Sequence, residues 1–191
     1  MIPRFEEADL RGPLFVGPTD DIEREDAFSG PHGFLLGPWG PPSRLELAQQ
    51  YFDAATTLVE SIKSREVEDY KLVYPVLFLY RHALELVVKH LIHSEAKHHK
   101  LHNLADDLNA YVCKHYKQQV PSWITSRLKE IAQVDPGSMA FRYAEDRYKG
   151  AEKPSPVDGD LYVGVNHLQR SMEALYGVLS VAAGKIEGVS D

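Results

Sequence analysis

Apolar residues recur at helical spacing along most of the 191-residue chain, and no stretch alternates apolar and polar positions as a half-buried strand does. The first predicted helix follows Ser43 and runs to about Arg65. Ser43 and Glu46 have the spacing of a capping box, in which each residue satisfies a backbone N–H at the start of the helix. The second predicted helix runs from Tyr74 to Ile92, with Pro75 in its first turn, where the missing N–H of proline costs little.

Three more helices are predicted in the second half of the chain by the same spacing of apolar residues. Together with the first two they predict an all-α fold, an antiparallel bundle of about five helices. The three run from Asn103, as the cap, to about Tyr116, from Pro121 and Ser122 to just before Asp135, and from Leu161 to about Ala182.

The N-terminal part of the chain has a different composition. Residues 1–44 hold seven of the twelve prolines and six of the thirteen glycines, which interrupt regular structure, and acidic residues outnumber basic ones there. We therefore predict a Pro/Gly-rich acidic arm over residues 1–43 and a helical bundle over residues 44–187.

Composition narrows the possible classes of protein. No run of about 18 uncharged apolar residues occurs, and the N-terminus lacks a basic region followed by an apolar core, so we expect a cytoplasmic protein with no membrane association. The net charge of −7 argues against a surface that coats nucleic acid. The single cysteine, Cys113, gives neither an internal disulfide nor a cysteine-based zinc site.

Charged residues interrupt the apolar second helix at Arg81, His82, Glu85 and Lys89. Burying an unpaired charge costs several kcal/mol, so these side chains should be paired, hydrated or functional. Glu85 lies one helical turn from both Arg81 and Lys89, which allows it to pair with either. We also expect Arg142 to fold back onto Glu85, because arginine forms two-pronged bonds to carboxylates.

Three motifs occur in a fixed order: RHALELVVKHLI at 81–92, HNLADDL at 102–108 and DPGSMAFRY at 135–143. Their order and spacing resemble bacterial members of the HEPN superfamily, small helical-bundle domains, over about residues 44–187. The resemblance implies an α-helical bundle, frequent homodimers, and a place in toxin–antitoxin, phage-defence or RNA-processing systems.

Ribonucleases of that superfamily carry an arginine and a histidine with four to six residues between them, and both face a cleft between two subunits. In this chain the corresponding window after Arg81 contains Leu86, Val87 and Val88, and no other arginine is followed by a histidine at that spacing. We therefore do not expect the ribonuclease chemistry of the superfamily.

Other residues could still act in catalysis or binding. A histidine with a pKa near neutrality can exchange a proton with an RNA hydroxyl, and an arginine can stabilise a phosphate. If the protein is an enzyme, the predicted catalytic residues are His82, Arg81 and His102; the predicted ligand or phosphate-binding residues are Arg81, Glu85, Lys89, Arg142 and Tyr143.

The histidines between the second and third helices could in principle bind a divalent metal. No nearby carboxylate completes an obvious set of ligands, and polar His/Lys-rich linkers are usually solvated. We predict no metal and no cofactor. The histidines are His90, His93, His98, His99 and His102.

The sequence thus favours a dimeric HEPN-like module that binds or regulates, with a homodimer, RNA, a nucleotide or a protein from a neighbouring gene as the expected partners. One alternative is a metal-independent endoribonuclease whose site has moved to Arg81, His82 and His102. Another is a nucleotide-sensing domain that holds its ligand against the charged residues of the second helix.

Overall fold

The computed structural model describes residues 41–93, 98–143 and 161–187. All regular structure in these ranges is helical, which confirms the all-α prediction. The predicted arm lies outside the described residues, except for its last three positions. The helices are α1 (Arg44–Lys63), α2 (Asp69–Leu91), α3 (Leu101–Tyr116), α4 (Ser122–Val134), the one-turn α5 (Ala140–Tyr143) and α6 (Val165–Glu187).

Helix α1 begins with the predicted capping box. The Glu46 amide donates to Ser43 Oγ at 3.1 Å, and the Ser43 amide donates to Glu46 Oε2 at 2.7 Å. The helix ends at Lys63, close to the predicted Arg65. Its buried face carries Phe52 and Val59 at helical spacing, so α1 is an amphipathic helix laid on the core.

Helix α2 is longer than the sequence predicted. It begins at Asp69 rather than Tyr74, and Pro75 therefore lies inside the helix instead of in its first turn. Apolar residues on both sides of the proline explain the difference: Leu72, before it, packs against the core, and Val76, after it, is buried within the core. The packing of Leu72 and the burial of Val76 compensate for the backbone hydrogen bond that proline removes.

The predicted start of α3 is also wrong. Asn103 does not cap the helix but lies exposed inside it, because the fully buried Leu101 already belongs to the first turn. Helix α4 has the predicted bounds, from Ser122 after Pro121 to the residue before Asp135.

Helix α2 is the centre of the bundle and packs against α1, α3, α5 and α6. Leu84, Val87 and Val88 at its midpoint are fully buried. Polar side chains that share the buried face of α2 with these residues are therefore withdrawn from water. Over the described ranges, no helix is long and apolar enough to cross a membrane.

Candidate functional site

Four charged side chains are buried together between α2 and the turn before α5. Arg81, Glu85 and Asp135 are each 1% exposed, and Lys89 is 7% exposed. We call these four residues the buried charge cluster. Three of the four charged positions of α2 that were predicted to need partners, Arg81, Glu85 and Lys89, are thus withdrawn from solvent, and their partners are one another and residues distant in sequence.

Glu85 is the acceptor at the centre of the cluster. Its Oε2 accepts a hydrogen bond from Arg81 Nη1 at 3.0 Å, and its Oε1 accepts one from Lys89 Nζ at 3.1 Å. The ring Nδ1 of His99, from the linker before α3, lies 2.6 Å from the same Oε1. Both carboxylate oxygens are therefore occupied by the protein itself.

Arg81 is held on its remaining sides by two segments outside α2. Its Nη2 donates to the backbone carbonyl of His99. Its Nε lies 2.9 Å from Asp135 Oδ2, a distance that makes an ion pair although the N–H does not point directly at the oxygen. Asp135 Oδ1 accepts from the amides of Met139 and Ala140 at 2.8 and 2.9 Å, so the same carboxylate also caps α5.

The charges of the cluster balance. Arg81 and Lys89 are cationic, and Glu85 and Asp135 are anionic. Burial by itself raises the pKa of Glu85, but the bonds from His99 and Lys89 and the charges of Lys89 and Arg81 outweigh it, so that the pKa lies below the ordinary value. Glu85 is therefore ionised at neutral pH and its charge is compensated inside the protein.

The predicted bond between Arg142 and Glu85 is wrong. The guanidinium carbon of the exposed Arg142 lies 5.0 Å from the centre of the Phe78 ring, in a cation–π contact. The segment after α4 is connected to α2 instead by Asp135, the residue that follows the last turn of α4, through its ion pair with Arg81.

His82 lies on another side of α2 from Arg81, among aromatic rings. Its ring meets Tyr51 edge-on at 4.6 Å and stacks on Phe78 at 5.7 Å. Burial lowers the pKa of His82 below its ordinary value; Glu85 opposes this shift, and Arg142, Arg81 and His99 add to it. Within the described part of the chain, its buried Nδ1 has no hydrogen-bond partner. His82 is thus a neutral, partly buried imidazole at neutral pH.

His102 lies on the exposed surface of α3. Its Nε2 is 3.6 Å from Asp106 Oδ2, one turn further along the helix, and Asp106 also pairs with Lys129 of α4 at 2.6 Å. Among the described residues no contact joins His102 to Arg81 or to His82. The three residues that the sequence proposed for catalysis therefore point to three different environments.

The side chain of Tyr143, predicted to line the ligand face, lies outside what the structure describes. In the described ranges, no group of three or more His, Cys, Asp or Glu side chains could hold a metal ion.

A cavity of about 210 Å³ adjoins the buried charge cluster between α2, α4 and α6. Its walls are mainly apolar, with Leu77, Phe141 and Met172 among them, and Arg81 also forms part of the lining. Arg81 is only 1% exposed and already bonded to the protein, so it offers little to a ligand in this cavity. The cavity is smaller than the roughly 300–1,000 Å³ usual for organic ligands.

Two members of this region were not among the predicted site residues. His99 was considered only as one of five linker histidines, and Asp135 only as the end of the fourth helix. The signal for Asp135 was present in the sequence, since a cation as deeply buried as Arg81 requires a carboxylate and DPGSMAFRY begins with one.

Comparison of the chain with protein-family models, with curated proteins and with solved structures gives no match.

Proposed function

We propose that this protein is a non-catalytic, HEPN-like helical module that binds or regulates a partner as a cytoplasmic homodimer, in a defence, toxin–antitoxin or RNA-related system. The family part of the proposal is supported by the three sequence motifs and by a contact between two of them. Arg81 of the first motif pairs with Asp135 of the third, so the motifs that carry the resemblance share one buried cluster.

The observation that carries the non-catalytic part is the state of Arg81. Transition-state stabilisation requires a cation that can reach the developing charge of the substrate. Arg81 instead contacts Glu85, Asp135 and the carbonyl of His99, and 1% of its surface is exposed. A phosphate could reach it only by displacing two buried carboxylates.

The test is an RNA-cleavage assay with the purified full chain at high concentration on RNAs of varied sequence and structure, together with light scattering after size-exclusion chromatography. We expect no cleavage and a dimeric mass. Cleavage that tracks with the protein and is lost in His82→Ala, with folding intact, would overturn the non-catalytic part; a strictly monomeric mass would overturn the dimer.

One observation favours an endoribonuclease as the second candidate. His82 and the exposed Arg142 both contact the ring of Phe78. A neutral imidazole and an exposed guanidinium therefore lie near the same ring. This pair differs from the predicted site, because it excludes Arg81 and His102. If RNA is cleaved, loss of activity in both His82→Ala and Arg142→Ala but not in His102→Ala identifies this pair.

A further inference from the structure

The linker residue His99 contacts the buried charge cluster and is also open to solvent. Its ring Nδ1 lies 2.6 Å from Oε1 of Glu85, and its backbone carbonyl accepts a hydrogen bond from Arg81. The side chain of His99 is nevertheless 51% exposed, whereas that of Glu85 is 1% exposed. One end of this imidazole is therefore fixed in the interior of the bundle while the rest of the ring faces the surface.

The contact with Glu85 determines which nitrogen of the His99 ring carries the hydrogen. Glu85 is ionised at neutral pH and can only accept a hydrogen bond, so Nδ1 of His99 is the donor. In the neutral form of the ring the lone pair is then on Nε2. Because the two nitrogens lie on different edges of the ring, Nε2 points away from the buried carboxylate. No described residue forms a hydrogen bond with Nε2.

A carboxylate behind an exposed imidazole favours nucleophilic chemistry at the other ring nitrogen. The carboxylate holds the ring in one orientation and one tautomer, and it stabilises the positive charge that the ring gains when that nitrogen forms a bond. Glu85 is suited to this role because it is itself held in place by Arg81 at 3.0 Å and by Lys89 at 3.1 Å. The buried charge cluster thus supplies His99 with a fixed acceptor.

The charge around His99 favours an anionic group as the one that is transferred. Glu85 is the only described carboxylate that contacts His99, and its charge is balanced within the cluster. Lys100, the next residue, is exposed and forms no ion pair with a described residue. Helix α3 begins directly after Lys100 without a side-chain cap and with no acidic residue in its first turn, where negative charge is favourable.

We propose that His99 accepts a phosphoryl group on Nε2 from a phosphoramidate, a donor in which phosphorus is bonded to nitrogen. The lone pair of Nε2 attacks the phosphorus and forms the new N–P bond, while the N–P bond of the donor breaks and its electron pair stays on the leaving amine. The donor nitrogen is protonated before it leaves, so the ring keeps its hydrogen on Nδ1 and becomes cationic. Glu85 faces that positive charge. The inference goes beyond the proposed function and does not depend on it.

The experiment treats the folded full-length chain, without a histidine tag, with potassium phosphoramidate at neutral pH. Mass spectrometry under conditions that preserve the acid-labile bond follows the phosphorylation of each histidine over time, and phosphorus NMR identifies the isomer. We expect His99 to react at least about ten times faster than His102 and His167, and at Nε2 alone. Both controls are exposed, but His102 contacts only the exposed Asp106 and His167 contacts no described carboxylate.

Two further comparisons separate the effect of Glu85 from that of exposure. In concentrated urea the three histidines should react at similar rates, because the carboxylate no longer lies behind His99. In Glu85→Gln, where circular dichroism shows the helical fold, the rate at His99 should fall to about that of His102. His99→Gln should remove the fast-reacting site and leave the other rates unchanged. A histidine that only stabilises the fold would show none of these differences in rate.

The proposal is overturned if His99 in the folded chain reacts no faster than His102 and His167, or if the phosphoryl group is found on Nδ1. It is also overturned if His99 keeps its lead in urea or in folded Glu85→Gln. Should Glu85→Gln fail to fold, the comparison in urea decides. RNA cleavage or a monomeric mass overturns the proposed function without affecting these rates, so the two failures are distinguishable.

Discussion

The buried charge cluster and the α3–α6 groove, a groove of about 750 Å³ that Tyr116, Val120 and Val178 help to line, depart from the usual distribution of side chains in opposite directions. In the cluster, Arg81, Glu85, Lys89 and Asp135 are withdrawn from water, and each charge is met by an opposite one. In the groove, apolar side chains face solvent and nothing among the described residues covers them.

The comparison separates buried charges that the protein itself satisfies from apolar side chains that it leaves exposed. Buried charges that are balanced and hydrogen-bonded require nothing from outside, so they do not by themselves indicate a ligand. Apolar side chains in an open groove, by contrast, have no counterpart among the described residues, and large contiguous apolar surface is typical of interaction sites. The region that looked functional in the sequence is therefore internally complete, and exposed apolar surface lies in a region that the sequence did not single out.

Removal of Glu85, the central acceptor of the cluster, should have the largest effect on stability and is the strongest test of this comparison. Glu85→Gln leaves Arg81 and Lys89 buried with one carboxylate between them, and we expect a loss of about 3–5 kcal/mol in the free energy of unfolding. Urea denaturation followed by circular dichroism measures it. Glu66→Gln, a change at an exposed site that forms no ion pair with a described residue, is the control and should have little effect. Equal stability of the two variants would mean that the cluster is not structural.

The contribution of Glu85 also depends on pH in a defined direction. Its pKa is lower in the folded protein than the ordinary value of 4.5, so its stabilising effect is fully present above that value and is lost as the pH falls through the folded pKa. The difference in unfolding free energy between the wild type and Glu85→Gln should therefore be constant near neutral pH and shrink below pH 4.5. A difference that grows on acidification contradicts the assignment.

A smaller loss of unfolding free energy is expected when the ion pair between Arg81 and Asp135 is removed. Asp135→Ala removes an ion-pair partner of Arg81 and the acceptor for the amides of Met139 and Ala140, for an expected cost of about 2–3 kcal/mol. Hydrogen exchange should become faster at those two amides in particular. Asp107→Ala, at an exposed position of α3, should change neither quantity.

His99 and His102 are close in sequence but should differ in their contribution to stability. His99→Ala removes a donor to the buried Glu85 and should cost about 1 kcal/mol. His102→Ala removes only a surface contact of 3.6 Å with Asp106 and should cost less than about 0.5 kcal/mol. Thermal unfolding of the two variants side by side checks the order. If His102→Ala costs more stability than His99→Ala, the contact between His99 and Glu85 does not stabilise the fold.

The smallest effect on stability is expected in the groove. Val178→Glu should change the free energy of unfolding by no more than about 0.5 kcal/mol, because nearly half of the side chain is already exposed. Its neighbour Leu179 is 3% exposed, and Leu179→Ala should cost roughly 2–5 kcal/mol. A large loss in Val178→Glu would show that the side chain of Val178 contributes to the folding core.

The sequence predicted local features of the fold well and distant partners poorly. Ser43 and Glu46 interact across a single helical turn, so their capping box could be read from spacing alone. The extension of α2 upstream of Pro75 could not, because it depends on what Leu72 and Val76 meet in three dimensions. The preference of proline for the first turn of a helix is a local property, whereas the burial of a side chain depends on the packing of the whole bundle.

The same limit applies to the candidate site. The sequence predicted that Arg81, Glu85 and Lys89 would pair, because all three lie on one helix at spacings of one turn. It assigned Arg142 to Glu85 because arginine forms two-pronged bonds to carboxylates, yet Arg142 lies over the ring of Phe78 instead. The contributions of His99 and Asp135 come from loops whose approach to α2 no local pattern encodes.

The contacts of Arg81 also bear on how the chain acquires its structure. The hairpin of α1 and α2 does not contain Asp135 or the carbonyl of His99, so on its own it leaves the guanidinium only partly compensated in an apolar setting. The hairpin therefore gains its full stability only when the segment before α3 and the turn after α4 have closed over it. The bundle should accordingly fold and unfold as one cooperative unit, and a fragment ending after α2 should not persist as an independent intermediate.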